Sequence, residues 1–156
     1  MLLFSPGFLF VLPGGILGSL GGLGVLWLLP GKQFIMGRYF DIHTMIVSAF
    51  MVLLGFQIVF LGLFAKVFAV NFLEEKDVKT TGILSKITLE KGVAFGCLLL
   101  AIGCLLFTYV FVNWWIGGFG ALNMERLLIF GMTILVLGVE IIFSSFFFGL
   151  LGREER

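Results

Sequence analysis

One acidic residue lies near the middle of a long apolar stretch, residues 126–151. A helix of this length, at about 1.5 Å per residue, exceeds the roughly 30 Å of a bilayer's hydrocarbon core, so the stretch predicts a membrane-spanning helix. The acid is Glu140, and a charge at this depth is costly unless it faces protein, water or a ligand head group. Ser144 lies one helical turn later on the same face. We therefore expect Glu140 and Ser144 to form a polar stripe that another part of the chain covers.

The best candidate partner for this stripe is Gln57, which lies in the middle of a second apolar stretch, residues 42–72. An amide can satisfy a carboxyl group if the two side chains lie at the same depth in the membrane. We expect Gln57, Glu140 and Ser144 to form one intramembrane polar cluster. Its role stays open between an ordinary interhelical hydrogen bond and a contact to a ligand.

The sequence contains few of the residue patterns that are typical of catalytic sites. It has no paired carboxylates on a loop, no Asp-x-Asp sequence and no glycine-rich phosphate loop after a strand. His43 is the single histidine, and with Asp41 it is better explained as part of a helix start at the membrane interface than as a metal site. A Ser-His-Asp arrangement is excluded because Ser144 and Ser145 lie far from His43 in depth. We expect no catalytic residue, no metal site and no cofactor in this chain.

Several lysines lie in or directly beside the one extended hydrophilic segment, residues 73–90. A basic residue at a membrane surface attracts anionic head groups by about 1 kcal/mol. The segment could therefore hold the phosphate of a lipid carrier, or its charges could only set the topology. The four candidates for phosphate binding are Lys76, Lys79, Lys86 and Lys91.

The composition fits an integral membrane protein and no other class. Of 156 residues, 60% are hydrophobic and 12% charged, with 20 Phe and 22 Gly, which lies outside the range of soluble domains. The net charge of +1 gives no reason to expect nucleic acid as a partner. Cys97 and Cys104 would lie about 10 Å apart along a helix, too far for a disulfide, so we interpret them as small packing residues.

The chain predicts an all-α fold of four transmembrane helices in a bundle, as one domain over residues 1–156. The spans cover about residues 8–29, 42–72, 92–112 and 126–151. In the first span Gly14, Gly18 and Gly22 form a ridge that lets another helix approach closely. Residues 32–40 are expected to be a short polar connection with Asp41 capping the second span. The second half of the 73–90 segment predicts a short interfacial helix between helices 2 and 3.

The basic residues predict the orientation in the membrane. With four spans, the two termini and the 73–90 segment share one side, which holds seven of the ten basic residues. By the positive-inside rule this side faces the cytoplasm. The aromatic residues that would form an interfacial belt lie toward the other side: Trp27, Tyr39, Trp114 and Trp115.

A series of short motifs resembles, in order and spacing, the C-terminal membrane domain of bacterial family 2 glycosyltransferases, the enzymes similar to dolichyl- and polyprenyl-phosphate sugar synthases. The likeness extends over essentially the whole chain. The motifs are Phe4-Ser5-Pro6, Pro13-Gly14, Phe40-Asp41-x-His43-Thr44, Leu54-Gly55-Phe56-Gln57, Leu89-Glu90-Lys91-Gly92, Gly118-Phe119-Gly120 and Ile142-Phe143-Ser144-Ser145-Phe146-Phe147.

The resemblance implies a membrane domain that anchors a glycosyltransferase and presents a polyprenyl-phosphate acceptor at the cytoplasmic face of a bacterial inner membrane. Such enzymes carry a nucleotide-sugar-binding catalytic domain ahead of the membrane domain, with a divalent metal bound by an Asp-x-Asp motif. Those residues are absent here, so we expect this chain to be inactive alone and to act with a catalytic domain or subunit. Two rival interpretations stay open, a small flippase of polyprenyl-phosphate sugars and a purely structural subunit. Self-association also stays open.

Overall fold

Four long helices make up most of the computed structural model, which describes residues 6–72, 89–120, 122 and 124–151. All four are long and apolar enough to cross a membrane, which confirms the predicted all-α, four-span class and a multi-pass membrane protein. The predicted interfacial helix lies outside the described residues. The helices are α1 (Pro6–Leu28), α2 (Ile42–Phe72), α3 (Leu89–Ile116) and α4 (Glu125–Leu151).

Two short strands connect α1 to α2, where the sequence predicted only a short polar connection. Strand β1 (Gln33–Ile35) pairs antiparallel with β2 (Arg38–Phe40). The turn between them has positive φ at both central residues, 49° at Met36 and 80° at Gly37. A two-residue hairpin turn of type I′ requires this backbone. Met36 is an unusual residue at such a position, and this is why the turn was not recognised in the sequence.

Helix α3 extends one turn beyond the predicted end of the third span. Its last residues close in a Schellman motif, in which Phe119 N–H donates to Trp114 O at 3.1 Å and Gly118 N–H to Trp115 O at 3.0 Å. Gly118 has a φ of 71°, the left-handed backbone that this motif needs. The helix therefore ends at Ile116, and not near residue 112 as predicted, because the glycine turn that follows closes it.

Close packing at glycines joins α1 to α2. A methyl group at Gly55 would lie 2.6 Å from Gly14 O, and one at Gly21 would lie 2.6 Å from Ser48 O. By contrast, a methyl group at Gly22 would meet no neighbour within 4 Å. The predicted ridge is therefore wrong in its last member. Seven residues turn a helix by about 700°, nearly two whole turns, so Gly21 follows Gly14 on the same face more closely than Gly22 does.

The same kind of contact joins α3 to α4. A methyl group at Gly138 would lie 2.6 Å from Leu100 N, and one at Gly103 would lie 2.6 Å from the Leu135 side chain. Such close approach lets backbones pack without large side chains between them, the usual solution for helices in lipid. The molecule thus consists of two helical pairs, α1–α2 and α3–α4.

The two pairs meet through α2 and α4. These two helices run in the same direction, because Asp41, just before α2, pairs with Arg126 in the first turn of α4. At the end of the bundle that carries β1 and β2, here called the hairpin end, this seam has an apolar core that includes Leu28, Met45 and Ala49 with Ile129 against them. At the opposite end it consists of phenylalanine rings, with Phe64 and Phe148 centroids 4.6 Å apart. A polar contact lies between these two apolar regions.

Candidate functional site

The polar contact in the α2–α4 seam is a hydrogen bond between two residues of the predicted cluster. Gln57 Nε2 donates to Glu140 Oε1 at 2.6 Å. Both residues lie well inside their candidate membrane spans, Ile42–Phe68 and Glu125–Leu150. Because α2 and α4 run in the same direction, these two positions reach the same depth. The structure therefore brings Gln57 and Glu140 together.

A groove of about 330 Å³ surrounds this pair between α2 and α4. Ser144, the third member of the predicted cluster, lies on its wall. Phe143 and Leu61 also line the groove and are 70% and 55% exposed, so the groove opens sideways towards the surrounding bilayer. Its complete lining is Phe56, Gln57, Phe60, Leu61, Phe64, Val139, Glu140, Phe143 and Ser144.

One oxygen of the Glu140 carboxyl group is left without a hydrogen-bond partner. Oε2 is buried, and none of the described residues donates to it or accepts from it. A buried polar atom without a partner costs free energy, so native proteins rarely keep one without a reason. Glu140 therefore holds a hydrogen-bonding capacity beside the groove that the bond to Gln57 does not use.

Substitutions at Glu140 should distinguish hydrogen bonding from charge. Glu140→Gln keeps an acceptor for Gln57, and we expect its melting temperature to stay close to that of the unchanged chain. Glu140→Leu leaves the Gln57 amide without an acceptor and should cost about 0.6–1.7 kcal/mol, the range for interhelical hydrogen bonds in membranes. The double variant Gln57→Leu with Glu140→Leu should recover part of that loss. Thermal unfolding in detergent measures all three, and an equal loss in Glu140→Gln would show that the charge matters instead.

A second polar contact, which the sequence pattern did not predict, joins three elements at the hairpin end. Arg126, in the first turn of α4, donates from Nη1 to Leu28 O at 2.7 Å, and its Nη2 pairs with Asp41 Oδ1. Asp41 does precede α2, since its carbonyl accepts from Met45 N–H at 3.2 Å, but its carboxylate holds Arg126. Opposite charges at the same predicted interface were the available signal. Because Arg126 and Asp41 are 85 positions apart in the sequence, this signal did not identify them as partners.

A larger cavity, about 440 Å³, lies beside the turn between α3 and α4. Its polar side chains donate to nearby backbone carbonyls of the turn and of α3. Trp114 Nε1 donates to Gly120 O at 2.8 Å, and Asn113 Nδ2 donates to Tyr109 O at 2.7 Å. These contacts explain the local backbone and leave the α2–α4 groove as the better candidate for a ligand site.

The remaining predicted positions are only partly described. Lys91 lies exposed in the first turn of α3, while Lys76, Lys79 and Lys86 lie outside the described residues, so phosphate binding stays a prediction. His43 is exposed at the start of α2. Within residues 6–72, 89–120, 122 and 124–151, no three His, Cys, Asp or Glu side chains gather as metal ligands would.

Comparison with known proteins places the chain in a family. Residues 63–152 match the family described as the glycosyltransferase family 2 C-terminal transmembrane region. Over 153 residues the chain is 32% identical to the low-salt glycan biosynthesis hexosyltransferase Agl6 of Haloferax volcanii. That alignment covers 98% of this chain and 37% of the relative. No solved structure matches. The chain therefore belongs to the family of C-terminal transmembrane regions of family 2 glycosyltransferases.

Proposed function

We propose that this chain is the membrane part of a glycosyltransferase and that it presents a polyprenyl-phosphate acceptor to a cytoplasmic catalytic domain. The groove between α2 and α4 is the observation that carries the proposal, because it is apolar, opens to the bilayer and lies inside the family-defining region on its α4 side. A related hexosyltransferase is much longer than this chain, which supports a catalytic domain as the partner. The nucleotide sugar and any divalent metal would belong to that domain.

The groove extends along α2 from the middle of the span towards one membrane surface, as a site for the chain of a lipid carrier should. On α2 its lining runs from Phe56 through Phe60 to Phe64, about 12 Å along the helix at 1.5 Å per residue, from the middle of the span towards its far end. An isoprenoid chain is flexible and apolar, so phenylalanine walls suit it better than a charged wall would. The lipid phosphate would then lie at the membrane surface beyond Phe64.

Lys91 lies at the end of the bundle to which the groove leads. Its neighbour Gly92 packs so closely on Ser145 that a methyl group there would lie 3.0 Å from the Ser145 Cβ atom. Ser145 in turn follows Ser144, which lines the groove. Lys91 is thus at the level of the groove's outer end, where it would attract the phosphate by about 1 kcal/mol. We propose the same contribution from each of Lys76, Lys79 and Lys86, which follow α2 in the sequence.

Binding of polyprenyl phosphate to the chain in lipid nanodiscs tests the proposal. Changing Lys76, Lys79, Lys86 and Lys91 together to Gln removes an attraction of about 1 kcal/mol for each lysine that contacts the phosphate. Binding of the phosphorylated lipid should therefore weaken at least tenfold, which corresponds to a loss of about 1.4 kcal/mol. Binding of the neutral polyprenol should not change. Equal losses for both lipids, or none for either, would contradict a phosphate site at these lysines.

The groove has a test of its own with a matched control. Leu61→Trp adds bulk to the groove wall and should weaken binding of polyprenyl phosphate and polyprenol several-fold. Leu98→Trp makes the same change on the lipid-facing side of α3, where Leu98 is 56% exposed, and should leave both affinities unchanged. If neither variant affects binding, the groove does not hold the lipid and a structural anchor becomes the better interpretation.

The unpaired Oε2 of Glu140 is the one observation that favours the rival class, a transporter of polyprenyl-phosphate sugars. A transporter that depends on this carboxyl group should lose lipid flipping in proteoliposomes when Glu140 becomes Gln. The acceptor-presenting domain should instead show no flipping at all. It should also transfer no sugar alone, and transfer should appear when the catalytic domain is added.

A further inference from the structure

The β1–β2 hairpin presents an apolar face whose side chains are mostly exposed. Met36 at the turn is 95% exposed, Tyr39 71% and Phe34 59%. Phe34 and Tyr39 are partners in the strand register, so their side chains lie on the same face of the hairpin, with ring centroids 4.7 Å apart. Exposed apolar side chains that cluster in this way mark an interaction surface.

The opposite face of the hairpin fixes its position on the helices. Phe40 packs against the apolar core of the hairpin end and lies 6.0 Å from Trp27, measured between ring centroids. Asp41, the next residue, pairs with Arg126. The base of the hairpin is therefore held at the ends of α1 and α4, and its free face points away from them.

The location of the hairpin in the chain defines what surrounds that free face. One candidate membrane span ends at Leu28 and the next begins at Ile42, so the hairpin must lie at a surface of the bilayer. Two exposed cations belong to this surface region, Lys32 and Arg38. Arg38 lies next to the turn and, by the strand alternation, on the opposite face from Tyr39. Lys32 Nζ lies 5.9 Å from the Tyr39 ring centroid, on the same face as the aromatic pair. Aromatic rings beside basic groups suit the boundary between acyl chains and head groups.

We propose that the β1–β2 hairpin is an interfacial anchor that inserts Phe34, Met36 and Tyr39 into the bilayer and binds anionic lipid head groups through Lys32 and Arg38. The partner is the lipid of the leaflet on this side. The chemistry is apolar burial to about 5–10 Å below the head-group level together with attraction of phosphates. Through Phe40 and Asp41 the anchor sets the depth of α1, α2 and α4. This proposal does not depend on the function proposed for the groove.

Depth measurement by spin labelling tests the anchor in the chain reconstituted into bilayers. In a background with Cys97→Ala and Cys104→Ala, we place one nitroxide through Met36→Cys and, as a control at the same end of the bundle, one through Glu125→Cys. Both original side chains are exposed, so the labels should not disturb folding. We expect the label at position 36 to collide with oxygen more than with an aqueous nickel complex, and the label at position 125 to show the reverse.

The lipid composition separates the apolar part of the anchor from the charged part. In bilayers that contain phosphatidylglycerol, the label at position 36 should lie deeper than in phosphatidylcholine alone. Lys32→Gln with Arg38→Gln should abolish that difference. A label as accessible to nickel as the control would overturn insertion, and so would spin–spin broadening that grows with protein density, which would indicate a second copy on this face. A difference that persists without the two cations would overturn the head-group contact.

Discussion

Replacing Gly55 with alanine is expected to push α1 away from α2 and to lower the stability of the protein. The new methyl group would lie 2.6 Å from Gly14 O, and backbone atoms cannot move aside as a flexible side chain can. Overpacking of this kind costs about 1–3 kcal/mol. The loss should be visible although alanine is favoured over glycine within a helix by about 1 kcal/mol. Thermal unfolding in detergent measures it.

Gly22→Ala is the matched control on the other side of α1. A methyl group there meets no neighbour within 4 Å, so only the helix preference for alanine acts. We expect this variant to be unchanged or up to about 1 kcal/mol more stable. The two substitutions have identical chemistry and opposite expected signs. Equal effects would show that the α1–α2 seam does not pass through Gly55.

Replacing Arg126 with methionine should have the other large effect. The change removes the bond to Leu28 O and the pairing with Asp41, and hydrogen bonds to charged groups contribute about 1.5–3 kcal/mol. The Asp41 side chain is 47% exposed, so water can solvate it once its partner is gone. We therefore expect a loss of about 1–3 kcal/mol, less than the roughly 3–5 kcal/mol that removing one member of a fully buried pair costs. Unfolding in detergent gives the value.

Arg126→Lys and Arg38→Met complete this test. Lysine keeps the charge but cannot match the two-pronged guanidinium, which reaches a carbonyl and a carboxylate at once, so its loss should be intermediate. Arg38 is exposed on the hairpin, and Arg38→Met should leave the unfolding temperature unchanged in detergent. If Arg38→Met destabilises as much as Arg126→Met, the effect comes from net charge and not from the contacts of Arg126.

The features that the sequence predicted well are those set by local composition. Each of the four apolar runs is long enough, as a helix, to cross the hydrocarbon core of a bilayer, so four spans could be predicted. The pairing of Gln57 with Glu140 could also be anticipated, because polar residues at mid-membrane are rare and each needs a partner. At the membrane surface polar residues are common, so their presence in the sequence does not indicate which of them pair with each other.

The features that were missed depend on contacts between distant residues or on fine angular differences. Gly21 and Gly22 differ by about 100° around the helix axis, and composition does not say which of them faces α2. The hairpin depends on a left-handed backbone at Met36, a residue that gives little local signal for it. Arg126 can bind Asp41 only when α4 packs beside α2. A local sequence pattern does not indicate which distant residues this packing brings together.

The arrangement of the helices in two adjacent pairs has a consequence for the order of folding. Each glycine seam joins helices that follow one another in the chain, α1 with α2 and α3 with α4, so little chain entropy is lost in forming it. The α2–α4 seam, with Gln57 bound to Glu140 across 83 residues, closes a much longer loop. We therefore expect α1 and α2 to assemble while the rest of the chain is still being synthesised. The groove that would hold the lipid comes into existence only in the last step, when the second pair docks.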